Sequence, residues 1–170
     1  MADFKEITCE DMRDNVFKLI GTDWMLLTAG DKGHFNTMTA NWGGMGVLWN
    51  RPVAFIFVRK TRYTFEFLER QNPFTLSFFS HEYHGALNLC GSKSGRDIDK
   101  VKESGLSPVF SDNGSVYFGQ ARMVLLCSQL YMQDLNPVNF LDVKILQSFY
   151  PDADYHRLYV GEIKQCLLKE

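Results

Sequence analysis

Apolar residues along the chain recur with two spacings, and these divide it into elements. Thr8-x-x-Asp11 has the form of a helix-starting box, and Met12, Val16, Leu19 and Ile20 follow at helical spacing up to Gly21, which predicts a helix over 9–20. Trp24 to Ala29 reads as a short strand, and Gly30-Asp31-Lys32-Gly33 supplies the turn that folds it into a hairpin. In the next stretch Phe35, Thr37, Thr39 and Asn41 fall on one strand face, with Asn36, Met38 and Ala40 on the other. One face is therefore rich in hydroxyl and amide groups, and it opens into Gly43, Gly44 and Gly46. Val53 to Val58 runs apolar without interruption, as a strand covered on both faces does. Phe65, Leu68 and Glu69 predict a short helix stopped by Asn72-Pro73, and Phe74 to Phe79 a further strand. From His81 to Gly105 the pattern is helical in two segments, separated by the polar loop Gly91 to Asp97. Val116 to Met132 alternates as one long bent strand or two, and Tyr155 to Leu168 gives a last strand with Gly161 as a bulge position.

Strands outnumber helices and the turns are short. The pattern predicts a mainly β fold, an antiparallel barrel, closed or nearly so, of about six strands with peripheral helices attached. At 170 residues, with no internal repeat, low-complexity tract or linker, the chain is expected to form a single domain over 1–170.

Composition narrows the function classes. A formal net charge of -2 gives no concentrated basic face for nucleic acid, and no apolar run reaches the ~18 residues of a membrane-spanning helix. Cys9, Cys90, Cys127 and Cys166 are scattered, with no CxxC pair and no secretory leader before them, so free thiols and a cytoplasmic location are expected. His81 and His84 stand at i, i+3 but lack a third ligand at sensible spacing, which argues against a metal. Gly91-Ser92-Lys93-Ser94-Gly95 lacks the residue order of a P-loop, and no Gly-x-Ser-x-Gly elbow exists.

What remains is the hydroxyl-rich strand followed, after a buried strand, by the turn Arg59-Lys60-Thr61-Arg62-Tyr63-Thr64. Such a turn can be merely solvated. In series with the preceding strand it suits a flat, hydrogen-bonding ligand with a phosphate, held by charge-assisted hydrogen bonds. Trp42 offers an aromatic shelf, and the glycines allow close backbone approach. Trp49 is read as a core or interface aromatic.

The segments Thr37-Met38-Thr39-Ala40-Asn41-Trp42-Gly43, Val58 to Thr64, Phe74-Thr75-Leu76-Ser77-Phe78-Phe79 and Gly91 to Lys100 together resemble the flavin reductase-like family of FMN-binding split barrels, the group that includes flavoredoxin. The resemblance implies a Greek-key split barrel, a homodimer, and FMN near the subunit interface. Carried onto this chain, it places Thr39, Ala40, Asn41 and Trp42 at the isoalloxazine and Arg59, Arg62, Tyr63 and Thr64 at the phosphate. Lys93 and Ser94 belong to the loop that closes over the cofactor, and His156 lies near the flavin. Simple flavin reductases of two-component monooxygenases carry Ser-x-Thr-Ala-Asn-Ser, whereas Thr37 to Gly43 is nearer the flavoredoxin-like branch. FMN as a bound group and FMN as a released substrate both stay open. The expected activity is hydride transfer from NADH or NADPH to flavin and onward to a small-molecule or protein acceptor. A non-enzymatic FMN-binding electron carrier, reduced by a partner protein, is the alternative. Chemistry on the flavin itself needs no protein acid or base, so no catalytic side chain is assigned.

Overall fold

The computed structural model describes residues 4–170. Its main sheet is antiparallel and holds β1 (Phe4–Ile7), β2 (Met25–Gly30), β3 (Phe35–Ala40), β4 (Gly43–Leu48), β5 (Arg51–Arg59), β6 (Pro73–Phe78), β9 (Met123–Asp134) and β10 (His156–Lys169). The order is β3-β2-β6-β9-β10-β5-β4, with β1 added along the far end of β10. A separate hairpin-like pair is formed by β7 (Pro108–Phe110) and β8 (Val116–Phe118). The helices are α1 (Val16–Gly21), α2 (Tyr63–Arg70), α3 (His84–Ser92), α4 (Lys100–Ser104) and α5 (Val143–Phe149).

β3 and β4 stand at opposite ends of this order, yet only Asn41 and Trp42 separate them in the chain. A link that short spans at most about 10 Å, so the sheet must curl until its two ends face each other. That is the split barrel, and the split lies at Asn41-Trp42.

The curl defines two cores. Met25, Leu27, Ile56, Phe74, Leu76, Leu125 and Tyr159 fill the interior, while Leu26, Leu87, Phe118, Val124 and Leu126 pack outside it, beneath α3. Successive residues of β2 face opposite sides, so Met25 and Leu27 enter one core and Leu26 the other. All six residues of β2 are buried, because both faces of that strand are covered.

Several expectations change. The sheet has eight strands against about six expected. One that the pattern missed is β4, where three glycines hide the alternation. Val116 to Met132 is two strands in different sheets. The helix expected over 9–20 is a 3-10 turn at Cys9–Asp11 followed by α1. The Thr8 hydroxyl bonds the Asp11 carboxylate at 2.7 Å instead of capping backbone, and Asn15 caps α1 by accepting from the Lys18 amide at 3.1 Å. α5 was not read from the sequence, although Asp142 caps it and Val143, Ile145, Leu146 and Phe149 fall at helical spacing; none of its residues is buried. The bulge is where Gly161 placed it: the β9–β10 register shifts between Val160 and Gly161.

Candidate functional site

Two adjoining hollows open at the split and share Met38, Thr39 and Arg62. The first, about 210 Å³, is walled by Thr39, Ala40, Asn41 and Trp42 on one side and by Arg59 and His156 on the other. The second, about 270 Å³, lies between β3, the start of α2 and the loop after α3, and is lined by Asn36, Tyr63, Thr64, Lys93, Ser94 and Lys100. Every residue expected at a cofactor site from the sequence therefore lines one hollow or the other.

In the first hollow, Arg59 and His156 are paired neighbours across β5 and β10. His156 is 8% exposed, and its Nδ1 lies 2.8 Å from the Tyr150 hydroxyl. Burial, reinforced by the Arg59 charge, pushes the imidazole down to about 4, so the ring is neutral. Burial raises Tyr150, which keeps its proton. That hydroxyl has no other side-chain partner among the described residues, and the imidazole tautomer sets which of the two groups donates. Trp42 tilts over His156 at 5.1 Å and meets Phe149 edge-on at 5.3 Å, making an aromatic rim. Asn41 and Trp42 lie beyond the last β2–β3 pair and before the first β4–β5 pair, so their backbone amides have no ladder partner.

The basic turn divides. Arg59 donates to the Phe149 carbonyl at 2.8 Å and the Asp154 carbonyl at 3.0 Å, and lies over the Tyr150 ring at 5.2 Å, which ties it to the 149–154 segment. Lys60 is paired with Asp134 at 2.6 Å and faces another cleft. Arg62 has no side-chain hydrogen bond or ion pair among the described residues and lines both hollows.

The hydroxyls are also differently occupied than an open hydroxyl face implies. Thr37 bonds the Thr28 hydroxyl at 3.0 Å inside the fold, and Thr39 donates to the Leu87 carbonyl. Thr64 accepts from Asn36 Nδ2 at 2.7 Å. What Thr39 presents to the hollow is thus backbone more than hydroxyl. A β-carbon at Gly95 would stand 2.0 Å from Asn36 Oδ1, so any larger residue would have to push aside the Asn36 amide, which bonds Thr64, for the 93–97 loop to close on β3. Arg96 fastens the same loop: it lies 4.6 Å over the Tyr63 ring, pairs with Glu66, and its amide donates to Ser94 Oγ at 3.2 Å.

Lys100 was not singled out from the sequence. It is 7% exposed, and Nζ donates to the Thr37 carbonyl at 2.8 Å and the Cys90 carbonyl at 2.7 Å. Burial lowers its pKa, and the Arg62 charge adds to that. Tyr150 and Phe149 were missed as well, although Ile145, Leu146, Phe149 and Tyr150 recur at helical spacing. His81 and His84 stack on each other at 4.7 Å, with His84 on Trp24 at 5.0 Å, and line neither hollow.

A larger hollow, about 620 Å³, lies elsewhere, around Lys60, Asp134, Asp154 and Arg157. Its cations are already matched, Lys60 by Asp134 and Arg157 by both Asp134 and Glu69 at 2.6 Å, so it has no unmet demand for an anion. The two smaller hollows do.

Comparison with known proteins bears on the fold and the family. Among solved structures, the FMN-binding domain of a flavin reductases-like enzyme from Shewanella baltica OS155 superposes with a TM-score of 0.70 at 15% identity, over 99% of this chain and 78% of that one. Flavoredoxin from Methanosarcina acetivorans gives 0.67 at 22% identity, over 98% and 76%. An NADH:FAD oxidoreductase from Streptomyces globisporus C-1027 gives 0.65 at 17%, over 87% and 81%. These establish the shared fold. No match is found among curated proteins. The model of the flavin reductase like domain matches residues 17–170, and with nearly the whole chain inside that match, this protein belongs to the flavin reductase-like family.

Proposed function

We propose that the two joined hollows hold FMN, with the isoalloxazine along Thr39 to Trp42 and the phosphate beside Arg62 and Lys93, and that the protein is an NAD(P)H-dependent flavin oxidoreductase. The observation that carries this reading is charge. Arg62, Lys93 and Lys100 line one hollow without an acid partner, and Asp97, its only carboxylate among the described residues, pairs with none of them. Unpaired cations around a concave site call for an anion, and a phosphate dianion meets several of them at once.

The ring-side hollow fits the rest of the group. The free amides of Asn41 and Trp42 suit carbonyl oxygens of a pyrimidine edge, Trp42 supplies a flat apolar contact, and neutral His156 offers a hydrogen bond without a full charge. Bound FMN would accept hydride from NADH or NADPH and pass electrons to an acceptor. The residues here bind and orient; none is positioned as a required acid or base.

The active unit in this reading is a cytoplasmic homodimer. Val47 and Trp49 at the β4–β5 tip, with Tyr131 and Met132 on β9, leave large apolar side chains in solvent, and Trp49 meets Tyr131 at 6.3 Å. A second copy covering this face would bury them. Exposed Trp42 and Phe149 beside the ring hollow favour one second reading, an FMN-binding carrier reduced by a docked protein.

Purified protein reconstituted with FMN should show a flavin spectrum that bleaches anaerobically on addition of NADH or NADPH. Bound flavin that bleaches with neither nucleotide leaves the carrier reading standing, and no spectral change on adding FMN removes both.

A further inference from the structure

We infer that Tyr150 is a positioning residue: its hydroxyl fixes how the His156 ring presents itself at the ring-side hollow, with the imidazole N–H on Nε2 and available to whatever occupies that space. The part that concerns flavin rests on the reading that the hollows hold FMN. The part that concerns the imidazole stands apart from it.

The pair joins two elements that meet only in the fold. His156 opens β10 opposite Arg59 on β5, and Trp42 packs against its ring at 5.1 Å. Tyr150 directly follows α5 and is held from several sides. Arg59 lies over its ring at 5.2 Å and donates to the neighbouring Phe149 carbonyl at 2.8 Å, while Tyr155 packs on it at 5.2 Å and Phe140 meets it edge-on at 5.6 Å. The hydroxyl therefore reaches His156 Nδ1, at 2.8 Å, from a fixed base.

A neutral imidazole has one N–H and one lone pair, and this contact accommodates either order. With the proton on Nδ1 donated to Tyr150 Oη, the phenol hydrogen would need a second acceptor. Tyr150 is buried and its hydroxyl has no other side-chain partner among the described residues, so that order leaves a donor unmet. The opposite order satisfies both atoms and puts the N–H on Nε2, which has no hydrogen-bond partner among the described residues and belongs to a ring that lines the hollow. Burial keeps that ring neutral; Arg59 and Arg62 add to the effect, and Asp154 works against it. The hollow thus receives a hydrogen-bond donor without a full charge. Such a donor bonds more strongly to a flavin ring that has gained electron density on reduction than to the same ring oxidised.

The simplest competing account is that Tyr150 only packs the 149–154 segment onto the barrel. Nitrogen-15 NMR of the apoprotein reads the tautomer directly, with His156 identified by its loss in His156→Gln. The wild type should carry the proton on Nε2, and Tyr150→Phe, which removes only the hydroxyl, should shift the ratio toward the Nδ1 form by about 3- to 10-fold. With FMN bound, the same variant should reduce the preference for reduced over oxidised flavin by about 3- to 10-fold, which at 30 mV per tenfold makes the midpoint potential about 15–30 mV more negative. In a His156→Gln background, Tyr150→Phe should leave the potential where it was, because the hydroxyl acts through the imidazole. A wild-type ring protonated on Nδ1, or a tautomer ratio that Tyr150→Phe does not move, overturns the inference. So does a potential that Tyr150→Phe leaves unchanged or shifts equally in both backgrounds. Wild type that binds no FMN removes the reading beneath the flavin part, and the tautomer measurement still decides the role of Tyr150. Should Tyr150→Phe not fold, the wild-type tautomer is the deciding result.

Discussion

Gly161→Ala tests the packing that joins β10 to the rest of the barrel. A β-carbon there would stand 2.4 Å from Phe74 Cζ, 2.6 Å from Cε1 and 3.1 Å from Cys127 Cβ. Carbon atoms settle at about 3.5–4.0 Å, so the Phe74 ring would have to retreat by about 1 Å or more. Phe74 is 1% exposed and Cys127 3%, which leaves neither wall room to yield. Overpacking of this kind costs roughly 1–3 kcal/mol. Two effects then compete, because Gly→Ala without a clash stabilises by roughly 0.4–1 kcal/mol through the unfolded chain. The clash wins by up to about 2.6 kcal/mol, equivalent to a fall in Tm of up to roughly 10 °C for a chain of this size. Calorimetric or circular-dichroism melts measure it directly. Trimming the ring supplies the control: Phe74→Leu should cost less in the Gly161→Ala background than in the wild type, with a coupling of about 0.5–3 kcal/mol. A Gly161→Ala protein melting at or above the wild-type temperature, or strictly additive effects, would refute the reasoning.

Arg62→Ala should weaken FMN binding by about 1.5–3 kcal/mol, measured by flavin fluorescence, because its guanidinium has no other partner among the described residues; unchanged affinity would take Arg62 out of the site. The buried His156 should make stability depend on pH. The unfolded imidazole takes up a proton near 6.5 while the folded one resists until about 4, so stability is complete above that upper value and is lost as pH falls toward the lower, by up to about 3 kcal/mol. His156→Gln should flatten that part of the denaturation profile between pH 7 and pH 4, and superimposable slopes would show that His156 is not the group responsible.

Much of the site could be read from residue order because its two main pieces are local. The alternation Phe35 to Asn41 is a strand whatever surrounds it, the turn Arg59 to Thr64 follows directly from the buried run before it, and the Gly95 loop carries its turn chemistry in its own composition. Where a segment lacks a period, as in the glycines of β4, pattern alone predicts nothing; around Tyr150 and Phe149 a helical spacing exists, but it does not say that the helix end turns toward the split.

The partners of each side chain were settled only in three dimensions. Arg59, Lys60 and Arg62 are near neighbours of the same charge, yet Asp154 and the Phe149 carbonyl claim the first, Asp134 the second, and nothing among the described residues claims the third. The Thr39 hydroxyl belonged to an open polar face until α3 brought the Leu87 carbonyl onto it. Lys100 shows the division most plainly: along the chain it is one more lysine opening a short polar helix, and it becomes a buried charge because β3 and the end of α3 close over it from 63 and 10 residues away. Periodicity records which way a residue faces along its own element. Burial, pairing and residual charge depend on what the rest of the fold lays across that face, and those are the properties that leave unmatched cations at this split in the barrel.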